Sequence, residues 1–325
     1  MNNSEFILSC KRQILDGDSI STSDVKKLYS LSTEHTSELA QAANEITRQF
    51  HGTLVDLEQI DNIKKNACSE DCTFCSQSAF YNTGIDSYRL PLPEEIVSRA
   101  QKAKDEGAVS YCLVAAWREP SADDFEQVCE IIQQINDLVG IKVDCSLGFL
   151  TSSQAERLVE LGIHRYNHNL ETCQSKFPDI CTTHSYDDRL NTLRIARHAG
   201  LQLCTGGIIG MNETDAQRLE LAMELGSLAP EEVTLNILVP IPGTPLEINS
   251  DLSELDIVRI FAILRFLLPT SIIKISGGRE TRISNGGEHL LLSGANGIIT
   301  SGYLTMGGNS SLKDKEMIEK IGLKV

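Results

Sequence analysis

Glu160-Leu161-Gly162, followed by Ile163-His-Arg-Tyr-Asn167, reads as a helix end, a glycine and a buried strand. Glycine adopts the left-handed backbone that closes a helix at no steric cost, so this junction marks an αβ connection. It recurs as Asp105-Glu106-Gly107 before Val109-Ser-Tyr-Cys-Leu-Val, Leu138-Val139-Gly140 before Ile141-Lys-Val-Asp-Cys, His198-Ala199-Gly200 before Leu201-Gln-Leu-Cys-Thr, and Leu292-Ser293-Gly294 before Gly297-Ile-Ile-Thr. Adding Leu54–Leu57, Val233–Val239 and Ile272–Ser276 brings the total to about eight strands. At that number a parallel sheet closes into a (β/α)8 TIM-type barrel filled by side chains. The predicted class is α/β, a barrel with an N-terminal helical extension; an open doubly wound sheet is the alternative.

The predicted divisions are a helical cap over residues 1–50, the barrel over 51–310 and a helical tail over 311–325. In the cap, Ser23-Asp24 can start one helix, and Leu39, Ala43, Ile46 and Phe50 recur at helical steps in another. Pro93 opens a further helix, with Ile96, Ala100 and Ala103 as its buried stripe and Gly107 as its end. The charged tail Leu312–Val325 reads as a helix packed outside the barrel with a solvated face.

With 325 residues, 41% of them hydrophobic, the chain can bury a large core. Asp and Glu number 45 against 29 Lys and Arg, a formal net charge of -16 that opposes binding to nucleic acid or anionic lipid. No apolar run reaches membrane-span length and the start lacks a basic, apolar leader, so neither partner nor membrane is expected and the cytoplasm is. Ten cysteines at irregular spacing point to reduced thiols used for metal or redox work.

The sharpest motif is Cys68-Ser-Glu-Asp-Cys72-Thr-Phe-Cys75, just after the first predicted strand. Three thiolates can hold a corner of an iron–sulfur cluster and leave one iron open, whereas structural zinc would need a distant fourth ligand. Strand C-terminal ends are where barrel active sites lie. The triplet resembles that of the radical S-adenosylmethionine enzymes, with Phe74 at their usual aromatic position. The resemblance implies a [4Fe-4S] cluster on Cys68, Cys72 and Cys75 that chelates adenosylmethionine and cleaves it to a 5′-deoxyadenosyl radical.

Further runs narrow the resemblance to the biotin synthases. They are Cys75-Ser-Gln-Ser, Tyr111-Cys-Leu-Val-Ala-Ala-Trp117, Tyr166-Asn-His-Asn-Leu-Glu-Thr172, Thr182-Thr183, Cys204-Thr-Gly-Gly-Ile-Ile-Gly210, Asn236-Ile-Leu-Val, Gly243-Thr-Pro-Leu, Pro269-Thr-Ser and Ser276-Gly-Gly-Arg-Glu280. By resemblance, Asn169 and Glu171 contact the ribose of adenosylmethionine, Gly206 and Gly207 pass close to it, and Asn236 meets the ureido ring of dethiobiotin. Taken singly, the three polar residues read equally well as strand-end caps, and Tyr166 and Trp117 read as core.

The same resemblance implies an auxiliary cluster deep in the barrel that donates the sulfur, held by three cysteines and an arginine; Cys112, Cys204 and Arg279 match it. The third family position is filled by Asp144, with the thiol one place later at Cys145, and side chains on a strand alternate faces. An extra thiol, Cys181, precedes Thr182-Thr183. Two accounts stay open. Cys112, Cys145, Cys181 and Cys204 could bind a cluster of the 4Fe type with Arg279 alongside, the version ligand count favours; or a [2Fe-2S] cluster could take Asp144 or Cys145 as third ligand.

The implied activity is radical sulfur insertion converting dethiobiotin to biotin, with no protein side chain as catalyst of the bond-breaking step. The expected partners are dethiobiotin, an electron donor such as flavodoxin or ferredoxin, and a second copy in a homodimer. The rivals are a barrel enzyme like hydrogenase maturases or methylornithine synthase, and a non-catalytic iron–sulfur electron carrier.

Overall fold

The computed structural model describes residues 1–247 and 252–325. Eight parallel strands close into one barrel in chain order: β1 (Asp56–Lys64), β2 (Ser110–Ala115), β3 (Lys142–Ser146), β4 (Arg165–Asn167), β5 (Gln202–Ile209), β6 (Glu232–Ile237), β7 (Ile272–Ile275) and β8 (Gly297–Thr300), with β8 pairing back onto β1. The open-sheet alternative is thereby excluded. The αβ junctions behave as their glycines require, with φ of +78° at Gly162 and +100° at Gly200, where Gly200 caps the helix Tyr186–Ala199.

β1 runs seven residues past its predicted end at Leu57. The extension carries Glu58 and Asn62 into a polar lumen, while Gln59 and Asp61 are buried on the outer face against polar partners, Gln59 donating to Glu106 at 2.8 Å and Asp61 pairing with Arg99 at 3.1 Å, so neither face shows the expected apolar alternation. The apolar layer lies between strands and outer helices. Ile96, Ala100 and Ala103 of the helix Pro93–Asp105 are wholly buried there, as predicted.

The N-terminal segment forms the helices Asn3–Leu15, Thr22–Tyr29 and Thr36–His51. They pack on the outer helices Asp215–Leu228 and Glu254–Leu267, beside the barrel and not over its mouth. The cap of the second helix is Ser21, whose side chain accepts from the Asp24 N–H, two residues before the predicted start. Leu39, Ala43 and Ile46 are buried as expected while Phe50 is exposed. The C-terminal helix Ser311–Lys320 is more than a solvated face: Asp314 is fully buried and accepts from Arg279 and Thr300 at 2.6 Å each. Among the described residues, no helix is long and apolar enough to cross a membrane.

Candidate active site

The loop after β1 carries Cys68, Cys72 and Cys75, and its backbone fixes their spacing. Cys68 N–H donates to Gln77 at 2.9 Å, Ala79 N–H to Cys68 at 2.8 Å, and Cys75 N–H to Cys72 at 2.9 Å. All three thiols line one cavity of ≈ 170 Å³, with Glu70, Phe74, Asn169, Glu171 and Arg189 on its walls. Burial pushes the Cys75 thiol up to about 12. Burial likewise raises Cys68, against the pull of Lys64 and Arg189. Thiols this shielded ionise only with a cation to bind, and three converging on one void suit an iron–sulfur cluster with an open site.

A second cavity of ≈ 330 Å³ opens further into the barrel and shares Phe74, Cys75, Gln77, Asn169 and Glu171 with the first. One end is polar, with Thr234, Asn236 and Ser276; the flank is apolar, with Ile208, Ile237 and Leu238. Asn236 accepts from the Gly277 N–H at 3.0 Å through its amide oxygen, so the group it can offer a ligand is its NH2. The buried Asn169 oxygen has no partner in the protein, the signature of a group awaiting a ligand.

Glu171 sits at φ 67° in the chain after β4. A backbone clamp holds it there: Leu170 N–H donates to Gly206 at 2.8 Å and Ile208 N–H donates to Glu171 at 2.7 Å. Gly206 and Gly207 therefore serve close approach of backbone to backbone. A Cβ on Gly207 would lie 2.6 Å from the Glu171 carbonyl oxygen, and one on Gly206 2.0 Å from that of Thr234. Gly207→Ala is expected to cost about 1–3 kcal/mol, read as a lower urea midpoint at unchanged slope. Arg189 completes the clamp, donating to the Asn169 carbonyl at 2.8 Å and pairing with Glu171 at 3.4 Å.

Deeper in the lumen the structure departs from the expected ligand set. Cys112 of β2 pairs in register with Asp144 of β3, without a bulge. The same strand faces carry Val114 and Ser146 into the larger cavity, so Cys112 and Asp144 point inward. Cys145 has the opposite parity: it faces outward into the apolar layer, toward Cys129 of the helix Ala122–Leu138. Cys181 lies at the mouth, its thiol 3.2 Å from Asp71 and 3.3 Å from His184 Nδ1. A hydrogen bond shared with Cys72 pulls the Cys181 thiol down to about 4. Its loop crosses over the cysteine triplet, not the barrel floor.

Arg279 lies beyond β7 in the turn Arg279–Arg282, fully buried against the Gly286 carbonyl at 2.7 Å and Asp314 at 2.6 Å. It staples the C-terminal helix to the barrel. The inward cation of β7 is Lys274, with its ammonium 2.6 Å from Glu58, 2.7 Å from Glu232 and 2.8 Å from Asp56. Two thiols, Cys112 and Cys204, remain in the lumen, and Cys204 shares a hydrogen bond with Thr234 at 3.2 Å. A cluster on three cysteines and an arginine does not fit these residues, nor does one on four thiolates.

Sequence reasoning also missed Arg189, Lys274 and the segment Tyr303–Met306, which lines the larger cavity after β8. Tyr303 donates to Glu280 at 3.0 Å. Lys274 did carry a signal, a lone charge inside an otherwise apolar strand. Arg189 carried none, because helix position alone does not show which face meets the mouth.

Residues 62–225 match the Radical SAM superfamily and residues 234–324 the Biotin and Thiamin Synthesis associated domain. A biotin synthase of Nitrosopumilus maritimus (strain SCM1) is 66% identical over 324 residues, covering 100% of this chain and 99% of that protein. One from Cenarchaeum symbiosum (strain A) is 58% identical over 318 residues, covering 98% and 99%. A crystal structure of methylornithine synthase superposes with a TM-score of 0.86 over 97% of this chain and 96% of its own, at 22% identity, a likeness of fold alone.

Proposed function

The chain belongs to the biotin synthase family of the radical SAM superfamily, and from that premise we propose how its own residues share the conversion of dethiobiotin to biotin. It is a radical SAM sulfurtransferase that uses adenosylmethionine and iron–sulfur chemistry. Cys68, Cys72 and Cys75 hold the [4Fe-4S] cluster. When bound and reduced, that cluster supplies reductive cleavage of adenosylmethionine to a 5′-deoxyadenosyl radical that abstracts hydrogen from unactivated carbon.

Everything else is placement. Asn169 and Glu171 bind the ribose hydroxyls, and Arg189 holds both in position from behind. Asn236 donates to the ureido oxygen of dethiobiotin, while Ile208, Ile237 and Leu238 take its aliphatic tail and exclude water that would quench a radical. Phe74 closes the wall between the two cavities. The observation that carries this reading is the shared wall: the three-thiol pocket and the larger cavity meet at Phe74, Cys75, Asn169 and Glu171, so a cofactor in one abuts a substrate in the other. The needed electron comes from a flavodoxin- or ferredoxin-type donor, and ten free cysteines suit a reducing cytoplasm.

Anaerobic incubation with dethiobiotin, adenosylmethionine and a reductant tests the reading by mass spectrometry of biotin and 5′-deoxyadenosine. Both products are expected; deoxyadenosine without biotin would assign a different substrate. Glu171→Ala removes a charge-assisted contact of about 1.5–3 kcal/mol, so the adenosylmethionine concentration for half-maximal rate should rise by roughly 10- to 100-fold.

A further inference from the structure

The barrel floor presents two thiols, and a carboxylate stands where a third would be. Cys112, Asp144 and Cys204 all point into the lumen from β2, β3 and β5, and each is at least 98% buried. One oxygen of Asp144 lies 3.3 Å from Arg165 Nη1; the other, Oδ1, is buried with no hydrogen-bond partner. A bare carboxylate oxygen shielded from water costs on the order of 1–3 kcal/mol or more unless something occupies its open side. Arg165 is already committed to Glu232 at 2.8 Å, and Lys274 to Glu58, Glu232 and Asp56.

Thiolate and carboxylate are both anionic donors that iron accepts, and a cationic iron–sulfide core is the species that two inward thiols and the open Asp144 oxygen can hold together. Register neighbours on parallel strands stand roughly 5 Å apart, so Cys112 and Asp144 can reach one small core.

We propose that the auxiliary iron–sulfur centre of this chain is held by Cys112, Cys204 and the Oδ1 of Asp144, a mixed thiolate–carboxylate set, with Cys145, Cys181 and Arg279 taking no part. This rests on the biotin synthase reading above. A carboxylate is a harder and weaker ligand for iron than thiolate, so the core is bound less tightly on its Asp144 side than on its two cysteines.

The test uses the full chain carrying Cys68→Ala, Cys72→Ala and Cys75→Ala, which leaves the inner centre alone to be loaded anaerobically with ⁵⁷Fe and sulfide. This parent should bind iron with a Mössbauer signal of sulfide-bridged sites and an oxygen scatterer in its X-ray absorption. Asp144→Asn should weaken iron binding by at least about tenfold. Asp144→Cys should restore it and replace the oxygen scatterer by sulfur, which decides the matter should the asparagine variant fold poorly by circular dichroism. Cys145→Ala and Cys181→Ala should leave the parent's iron and spectrum as they were.

A parent that binds no iron, an Asp144→Asn protein with unaltered iron and spectrum, an Asp144→Cys protein with an unaltered scatterer, or loss of iron on changing Cys145 or Cys181 would overturn the assignment. Product formation by the unsubstituted chain is a separate readout. Biotin made by it alongside any of these results defeats the ligand set alone, and no biotin defeats the underlying reading.

Discussion

Cys72→Ala is expected to reduce 5′-deoxyadenosine formation by at least about 100-fold and to remove the visible absorption of the mouth cluster, while the fold survives. The Cys72 thiol shares a hydrogen bond with Cys181, but the loop's own path is held by other groups. Its shape comes from the Cys68–Gln77 and Ala79–Cys68 backbone bonds and from Ser78, whose hydroxyl donates to the Glu70 carbonyl at 2.6 Å. From across the mouth, Asp71 accepts the Thr182 and Thr183 N–H groups at 2.9 and 3.2 Å. Those Thr182 and Thr183 bonds outweigh burial and hold the Asp71 carboxyl well below its ordinary range, so the brace stays charged at neutral pH. Cys10→Ala is the control: that thiol is buried in the helix Asn3–Leu15 and touches neither cavity. Iron and deoxyadenosine at control levels in Cys72→Ala would mean that the triplet is not the site.

The barrel was legible because its punctuation is local. A glycine that must take positive φ is visible one residue at a time, and so is a triplet of cysteines on one short loop. Wherever a residue's meaning depended on the face it shows, the sequence was ambiguous. Alternation along β3 already turned Cys145 away from the lumen, but a bulge could have reversed it, and only the unbroken Cys112–Asp144 register excludes one. Lys274 and Arg279 are both cations near the end of β7. The family motif drew the eye to Arg279, although the strand ends at Ile275 and the chain has turned by Gly278, at φ 90°. The surroundings of Cys181 are hidden from the sequence for a related reason: it lies on a long connection whose path over the triplet is set by Asp71, far off in the chain, and by His184 three residues on. Polar residues on both faces also hid most of β1: Glu58 turns into the lumen and Gln59 outward onto Glu106 and Ser311, and the pair looks like a strand's end only if one face of a strand must be apolar.

Lys274→Met should destabilise the chain by about 3–5 kcal/mol, the largest stability change expected of any single substitution in the floor. Lys274 is wholly buried, and its ammonium is the shared partner of three carboxylates. Removing it leaves Glu58, Glu232 and Asp56 facing one another in a space where water cannot replace the lost charge. Lys274→Arg keeps the charge but crowds a site where even a Cβ on Gly297 would meet the Lys274 side chain at 3.0 Å, so a smaller loss of about 1–3 kcal/mol is expected. The pH dependence separates charge from packing. Burial already raises the Glu58 carboxyl from 4.5 to about 8 against the pull of Lys274, and without the lysine it rises further. Between those values the folded chain binds a proton that the unfolded chain does not, so stability is greatest on the acid side and falls as pH climbs through the folded value. Urea midpoints for Lys274→Met should therefore lie closest to the parent near pH 5 and diverge toward pH 9. A deficit that stays constant across that range would attribute the loss to the missing side-chain volume and not to the unpaired acids.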